Sequence, residues 1–393
     1  MLIKENCFKV LNILIFGMFF VLFFQNFIYF KELSLIFDGG HQWLTADWLI
    51  NYNFGFIRRG MFGSFFINLP FEYQNIIFLI KSVLFVIYLL TLLIVFSIYY
   101  ENLETSVLTL YLTSPLFFNF IFVNKDASFR KEMLCIFTIA LLLIYQKTQY
   151  KAFYFLTFLF YILSIFSSEY GFMLFIPICY LFFNTNNNFK IKDIIFVSIP
   201  PFSYLIFHFL NSKLYESRST LICEYIKNLN PFNYSNYICE GQINWIGYSL
   251  SETIKTTTQY YDFNYILYFF VAFLIGLVPI VVSGWFKNNL KFLLLQILMV
   301  LIFFILATDW GRTLYLFFSI NYLIAMRSIN NQNETYKLSS ILVILVFLFI
   351  QIDYWKPQNF SYLSFETVTS YQNGILNFKN NLLIVFNEII AFI

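Results

Sequence analysis

Charged residues are scarce in this sequence, and their scarcity excludes a soluble globule. Of 393 residues only 11% are charged, whereas 60% are hydrophobic and the mean hydropathy is +0.71. A water-soluble protein of this length needs more charge to cover its surface. The composition therefore predicts a chain that is solvated by lipid. No long linker, charge run or internal repeat divides it, so we expect one integral membrane domain over residues 1–393.

Histidine is nearly absent, and the common nucleotide-binding motifs are absent altogether. The two histidines, His41 and His208, are too few for a histidine metal cluster. The sequence contains no P-loop, dinucleotide-binding glycine pattern, Cys/His zinc spacing or Gly-x-Ser-x-Gly turn. Cytoplasmic nucleotide chemistry is therefore unsupported, and we expect no metal, no cofactor and no nucleic-acid partner.

Only five cysteines occur, and two of them lie in the longest polar segment. Cys223 and Cys239 fall within 212–262, where an oxidising exterior would let them pair. The other three lie in or beside apolar runs, where we expect them to act as small apolar residues. They are Cys7, Cys135 and Cys179.

The sequence contains many apolar runs that are long enough to span a membrane. Runs of roughly 17–25 apolar residues predict transmembrane helices. The predicted spans are 8–30, 75–99, 103–123, 132–146, 152–168, 170–184, 193–211, 263–286, 290–308, 312–326 and 338–352. The expected fold class is therefore an all-α polytopic transmembrane helix bundle of roughly eleven spans, within a range of 10–12. The first run is too long for a cleavable signal, and 380–393 is either a further span or an interfacial helix.

Two longer polar segments, 31–74 and 212–262, are expected to form short helices outside the membrane. All arginines except Arg327 fall in alternate segments between spans and would therefore share one membrane face; they are Arg58, Arg59, Arg130, Arg218 and Arg312. The opposite turns carry mostly lone lysines at helix edges, as the positive-inside rule expects of cytoplasmic loops. Basic residues are slightly more numerous on the arginine face, but there they stand beside acids. We therefore expect the arginine face to be external.

The first insertion carries the strongest local pattern. Its residues 38–52, with His41 and Trp48 among them, are typical of a segment that lies at the membrane interface. Arg58 and Arg59 follow between glycines. Glycines let a backbone approach a ligand closely, and paired guanidinium groups offer forked donors to phosphate oxygens. The alternative is that the two arginines anchor the chain to lipid headgroups.

Three further charged groups stand beside or between predicted spans. Arg130 and Lys131 begin a helix, where the helix dipole disfavours cations, so either an ion pair with a nearby acid or a bound phosphate must hold them. Glu169 lies between two apolar runs without a neighbouring cation in sequence, which predicts a polar cavity or a raised pKa. Asp309 and Arg312 can pair on one helical turn, either to cap a helix or to take part in chemistry.

These segments together resemble the O-antigen polymerases of Gram-negative bacteria. The resemblance rests on short motifs in order over most of the chain: DGGHQW, DW, NYNFGFIRRGMFG, FRKE, SEYG and DWGR. It implies a multi-pass protein of the bacterial inner membrane whose active site faces the periplasm. It also implies that undecaprenyl-pyrophosphate-linked repeat units of lipopolysaccharide are joined there without a nucleotide sugar. One departure is the segment 212–262, which has only Arg218 where these polymerases usually carry several arginines.

The resemblance also implies roles for the charged residues. The leaving group is a pyrophosphate whose charge increases at the transition state, so cations aimed at it would stabilise its departure without a metal. The residues expected to bind this lipid-linked oligosaccharide are Arg58, Arg59, Arg130, Lys131, Arg312, His41 and Trp48. A carboxylate would accept the proton of the attacking hydroxyl or orient the arginines. The candidate carboxylates are Asp38, Glu169 and Asp309. Membrane lipids and a chain-length regulator are further candidate partners.

Two other functions fit parts of the sequence. A multispanning glycosyltransferase that uses a polyprenyl-phosphate sugar commonly has an acid in its first external loop as the base, and Asp38 and Asp47 fit that layout. A lipid-linked oligosaccharide flippase would place its charges deep within helices along a path through the bilayer, with repeat symmetry. Here the charges gather at one face and no repeat is visible, which favours an enzyme.

Overall fold

The computed structural model describes residues 2–36, 41–118, 121, 130–185, 191–229, 238–259, 261–307 and 309–327, with a few positions between 343 and 352. This part of the chain is 84% helical and has no β-strand, so the all-α class is confirmed for it. The α-helices, in chain order, are α1 Leu2–Ile36, α2 Thr45–Leu49, α3 Met61–Ile67, α4 Tyr73–Tyr99, α5 Ser106–Leu112, α6 Met133–Thr148, α7 Lys151–Ser167, α8 Phe175–Thr185, α9 Ile191–Asn211, α10 Tyr215–Leu229, α11 Asn244–Gly247, α12 Leu250–Thr258, α13 Phe263–Val282, α14 Trp285–Leu306 and α15 Trp310–Met326.

Five helical stretches of the described chain are long and apolar enough to cross a membrane: Asn6–Phe27, Tyr73–Asn102, Asp193–Leu229, Phe263–Val282 and Trp285–Leu306. Three shorter helical stretches are also apolar: Met133–Thr148, Lys151–Ser167 and Glu169–Phe183. A helix bonds its backbone N–H and C=O groups internally, which a lipid environment requires. The total of about eleven spans stays a prediction. Most of predicted span 338–352, and all of 380–393, lie outside the described residues.

The predicted span 103–123 is interrupted in the structure. Its helix α5 begins after Thr105, whose hydroxyl accepts from the backbone N–H of Leu108, and ends at Leu112. Pro115 follows closely, and proline disfavours the helical conformation in the residue before it. The chain is helical again at Phe118 and Ile121, and the other positions from 119 to 123 lie outside the described residues. The apolar run therefore predicted helix correctly but missed the break before Pro115, because hydrophobicity alone does not reveal a proline.

The predicted span 193–211 continues beyond its expected end. After a single 3₁₀ turn at Ser212–Leu214 the chain remains helical as α10, so the first part of the predicted insertion 212–262 extends the preceding helix. The described residues from 215 to 258 are called the cap below. The cap contains α10, a kinked helical turn at Cys239–Ile243, α11 and α12.

The described residues form two compact units. The first is drawn from residues 1–28, 89–128 and 259–393. All 17 residues of its helix α15 are buried. Gly276 of α13 allows a close approach, since a Cβ atom there would lie 2.4 Å from the ring of Phe318. The Tyr322 hydroxyl donates to the carbonyl oxygen of Gly276 at 2.6 Å, so a polar contact also joins these two helices.

The second unit, from residues 29–88 and 129–258, contains most of the predicted functional residues. Its α6 and α7 form a hairpin that turns at Gln149, which has a left-handed backbone with φ of 59°. In the cap, Cys223 and Cys239 are joined by a disulfide with their Cα atoms 5.6 Å apart, which confirms the pairing expected from the sequence. The bond ties α10 to the turn that precedes α11.

We expect the double variant Cys223→Ser, Cys239→Ser to unfold at a lower temperature than the wild type. The disulfide spans 16 residues of sequence, and closing a loop of this size stabilises a fold by about 3 kcal/mol. Thermal unfolding of the full-length protein in detergent measures the effect. Cys7→Ser, at an exposed free cysteine, is the matched control and should leave the midpoint unchanged. Equal midpoints for the double variant and the oxidised wild type would contradict this prediction.

Candidate functional site

A buried ion network lies in the second unit, where four segments of the chain meet. The Arg59 Nε donates to Glu169 Oε2, and its Nη1 lies 3.5 Å from Asp47 Oδ1. The same Asp47 oxygen is 3.8 Å from Lys131 Nζ, and Arg58 Nη1 is 3.7 Å from Glu169 Oε1. We call these five residues the ion network. Asp47 comes from α2, and Arg58 and Arg59 come from the loop before α3. Lys131 comes from the segment before α6, and Glu169 from the 3₁₀ helix Glu169–Leu174 that follows α7.

Arg59 owes its position to its backbone as well as to its ion pairs. Its φ is +67°, in the left-handed region that non-glycine residues seldom adopt. The buried Lys131 Nζ donates to the Arg59 carbonyl oxygen at 3.0 Å and so holds the main chain at this strained point. The neighbouring Gly60 is required by internal packing, because a Cβ atom there would lie 2.2 Å from the Tyr52 ring.

The sequence suggested that the glycines around Arg58 and Arg59 let the backbone approach a ligand, but the structure gives another reason for them. A Cβ atom on Gly63 would lie 1.9 Å from the carbonyl oxygen of Ile50. Gly55 has φ of +101° and packs against the guanidinium group of Arg218. These glycines let the chain approach its own backbone and side chains, which replaces close approach to a ligand as the physical explanation of the pattern.

Arg58 connects the ion network to the cap. Its Nη2 donates to the carbonyl oxygen of Trp245 at 2.9 Å and of Tyr248 at 3.4 Å, and its Nε donates to that of Ile246 at 3.3 Å. One guanidinium group thus binds three carbonyls around α11 while one of its nitrogens faces Glu169. The side chain of Arg58 is 14% exposed, so it lies at the edge of the network rather than in its centre.

Arg218 makes a second connection between the first insertion and the cap. Its Nη1 donates to the carbonyl oxygen of Phe56 and, at 2.8 Å, to Asn211 Oδ1. The sequence left the role of this residue open. The contacts assign it to holding the Arg58 loop in place.

Three other residues expected to bind substrate have partners within the chain. Arg130 is buried and its Nη1 donates to the carbonyl oxygen of Trp43 at 2.8 Å. The His41 Nδ1 accepts from the backbone N–H groups of Trp43 and Leu44 at the start of α2. Trp48 is fully buried, and Lys131 Nζ lies 5.6 Å from its ring centroid, so its ring packs inside the protein. Their substrate-binding roles stay predictions.

The remaining candidates are not part of the ion network as it is described. Arg312 Nη2 pairs with Asp309 Oδ2 within the first unit, at the start of α15, as their spacing predicted. Trp310 between them stacks on Phe304 with centroids 4.3 Å apart and donates from Nε1 to its carbonyl oxygen. Asp38 lies outside the described residues.

The pKa of Glu169 contradicts one of the two alternatives that the sequence offered, a raised pKa. Burial raises the pKa of this carboxyl, but Arg59 and Arg58 outweigh that effect and lower the pKa to about 2. The sequence showed no neighbouring cation because both arginines lie about 110 residues away along the chain. A carboxylate with so low a pKa is a weak base at neutral pH, so Glu169 is better suited to orient the arginines than to accept a proton.

At Lys131 the effect of burial on the pKa outweighs that of the neighbouring charges, which is the reverse of the situation at Glu169. Complete burial lowers its pKa to about 8, although Asp47 acts to raise it. The ammonium group is therefore charged at neutral pH but close to its titration point. Within the described residues, no group of three or more His, Cys, Asp or Glu side chains is arranged to hold a metal ion.

Comparison with known proteins gives no relative from which to transfer a role. No protein-family model, curated protein or solved structure matches this chain. The assignment of function therefore depends on the geometry of the site and on the sequence motifs.

We expect Glu169→Gln to lower the free energy of unfolding by about 3 kcal/mol at pH 7, because Arg58 and Arg59 lose a buried counterion. The pKa of Glu169 is lowered on folding, so its contribution is complete above pH 4.5 and is lost as the pH falls from 4.5 towards about 2. Unfolding at pH 7 and pH 3.5 should therefore show the wild type and Glu169→Gln converging at the lower pH.

The matched control for this experiment is Glu240→Gln, which changes an exposed carboxylate of the cap. Its free energy of unfolding should equal that of the wild type at both pH values. If the free energies of unfolding of the wild type and Glu169→Gln differ by the same amount at pH 7 and at pH 3.5, the charge of the carboxylate does not stabilise the network.

Proposed function

We propose that this protein polymerises undecaprenyl-pyrophosphate-linked O-antigen repeat units at the periplasmic face of the bacterial inner membrane. The observation that carries the proposal is the paired guanidinium groups of Arg58 and Arg59, both bound to the carboxylate of Glu169 and both only slightly exposed. Fixed, partly desolvated guanidinium groups are well suited to stabilise a departing pyrophosphate.

The concentration of cationic side chains in the second unit supports an anionic ligand. Arg58, Arg59 and Lys131 belong to the ion network, and Arg130 precedes Lys131 in sequence. Guanidinium groups offer forked donors that match the geometry of phosphate oxygens.

In the proposed reaction a sugar hydroxyl of one lipid-linked unit attacks the anomeric carbon of another. The new glycosidic bond forms as the bond to the pyrophosphate breaks, and the pyrophosphate leaves with the electron pair. Arg58 and Arg59 stabilise its charge, and Glu169 holds both guanidinium groups in place. The proton of the attacking hydroxyl passes to a carboxylate base, for which Asp38 of the first insertion remains the candidate.

The geometry reduces the number of acids that a transferase using a polyprenyl-phosphate sugar could employ as its base. That alternative needs an available acid in the first insertion as its base. Asp47 is 2% exposed and faces both Arg59 and Lys131, so its carboxylate is engaged in holding cations. Asp38 is then the acid of this insertion that the alternative would have to use.

Two observations support the membrane and the compartment that we propose. The five long apolar helices fit a multi-pass membrane protein. The disulfide between Cys223 and Cys239 fits an oxidising compartment, which the periplasm provides.

Loss of the gene should leave lipopolysaccharide core that bears a single repeat unit, because addition of the first unit does not need the polymerase. Complementation with Arg59→Lys should give a shortened lipopolysaccharide ladder, the series of gel bands that differ by one repeat unit. The lysine ammonium group keeps the charge but lacks the planar, forked donors of a guanidinium group. Arg59→Ala should lower the polymerisation rate by about 100-fold, the loss expected when one charged partner of a desolvated phosphate is removed. Ladder length at matched protein levels is the measurement.

The matched control is Lys147→Ala, which changes an exposed cation at the end of α6 and should restore a full ladder. Core without any repeat unit in the deletion strain would point to a flippase or an earlier transferase. Full ladders from both Arg59 variants would show that the reaction does not need this guanidinium group and would limit Arg59 to a structural role.

The proposed orientation predicts which engineered cysteines an impermeant thiol reagent reaches in whole cells. In a Cys7→Ser background, cysteines at exposed positions 53, 240 and 255 should react, whereas cysteines at positions 149 and 287 should react only after the membrane is opened. Positions 53 and 255 lie in the two insertions, and positions 149 and 287 lie in turns on the predicted opposite face. The reverse pattern would place the ion network on the cytoplasmic side and contradict the proposed reaction.

A further inference from the structure

Two buried oxygens beside the ion network have no hydrogen-bond partner within the described residues. They are Glu169 Oε1 and the hydroxyl of Tyr204 in α9. Tyr204 is only 3% exposed. A buried polar atom without a partner destabilises a fold, and native proteins rarely leave one without a reason such as a bound molecule.

The two oxygens belong to one local environment. Tyr204 interacts electrostatically with Glu169 and with Arg58. Arg58 Nη1 lies 3.7 Å from Glu169 Oε1, which is beyond ordinary hydrogen-bonding distance. The Tyr204 ring contacts Phe166 and Phe172, which flank Glu169 in sequence, so it packs against the segment that carries this carboxylate. Neither Glu169 Oε1 nor the Tyr204 hydroxyl has a hydrogen-bond partner within the described residues.

Aromatic rings form the walls of this environment. The Tyr204 ring makes edge-to-face contacts with Phe56, Phe166 and Phe172, at centroid distances of 5.8, 5.7 and 5.3 Å. Phe207 stacks on Phe56 at 5.4 Å and is itself 46% exposed, so it forms the outer wall. Apolar walls with a few convergent polar atoms are typical of sites for small neutral groups.

The outer side of α9 is apolar and exposed. Phe202, Ile206 and Phe209 are 62%, 58% and 72% exposed, whereas Tyr204 faces inwards. These residues belong to a stretch that is long and apolar enough to cross a membrane. A ligand attached to a lipid could therefore reach the site along the side that Phe207 covers.

We propose that Glu169 Oε1 and the Tyr204 hydroxyl bind one hydroxyl group of the uncharged sugar that is attached to the lipid pyrophosphate. This assignment rests on the proposed function, because it places the sugar next to the arginines that bind the pyrophosphate. The sugar hydroxyl donates to the carboxylate oxygen and accepts from the tyrosine O–H. The carboxylate disfavours an acidic sugar at this position, since two anions would repel each other.

The test uses full-length protein in detergent and ligand-observed NMR. The probes are inorganic pyrophosphate, methyl glycosides of neutral hexoses and N-acetylhexosamines, and methyl glucuronide as an acidic counterpart. Wild-type protein should bind at least one neutral glycoside and should not bind the glucuronide. Tyr204→Phe removes only the unpartnered hydroxyl, so it should weaken glycoside binding by about tenfold while pyrophosphate binding and the melting temperature are maintained or improved.

Tyr161→Phe is the matched control, because the buried Tyr161 hydroxyl already donates to the carbonyl oxygen of Val197 at 3.1 Å. It should lower the melting temperature and leave glycoside binding unchanged. Wild-type protein that binds pyrophosphate but no glycoside, or a Tyr204→Phe variant that binds glycosides like the wild type, would overturn the sugar site alone. If the protein binds glycosides but not pyrophosphate, the result would instead contradict the proposed polymerase function and support the proposed sugar-binding site.

Discussion

The buried pairing of Arg59 with Glu169 is the interaction on which the second unit depends. Taking either charge out of water alone is costly, so each is stable there only when the other is in place. Asp47 and Lys131 extend the same requirement to the first insertion and to the residues before α6. Burial of these charges thus demands that distant segments of the chain arrive at one point, which fixes the loop that carries both arginines.

This arrangement also explains how a site can be prepared for an anion before the anion arrives. The guanidinium groups are already aligned by a carboxylate, so little reorganisation is needed when a phosphate oxygen competes for them. The cost is that Glu169 is a poor proton acceptor, because the arginines stabilise its charged form. In a site built this way, binding of the leaving group and acceptance of the proton must fall to different residues.

The sequence predicted the helices better than it predicted the partners of the polar residues. Long apolar runs identified α4, α6 and α13, because lipid and the helical backbone impose a length and a composition that can be read locally. Glu169 was identified as unusual, but its partners Arg58 and Arg59 are about 110 residues away in sequence, so the alternative of a raised pKa was wrong. Tyr204 was missed because it is one of 29 tyrosines, and only its surroundings distinguish it.

The complete burial of α15 means that this helix is shielded from the bilayer by its own protein. Residues such as Asn321 and Ser319, which lipid would disfavour, are tolerated there because they face neighbouring side chains. Its neighbours α13 and α14 present exposed side chains such as Phe270 and Leu298, at 57% and 56%. A thinner or thicker bilayer would therefore act first on α13 and α14, by tilting them to match their apolar length, and would reach α15 only through them.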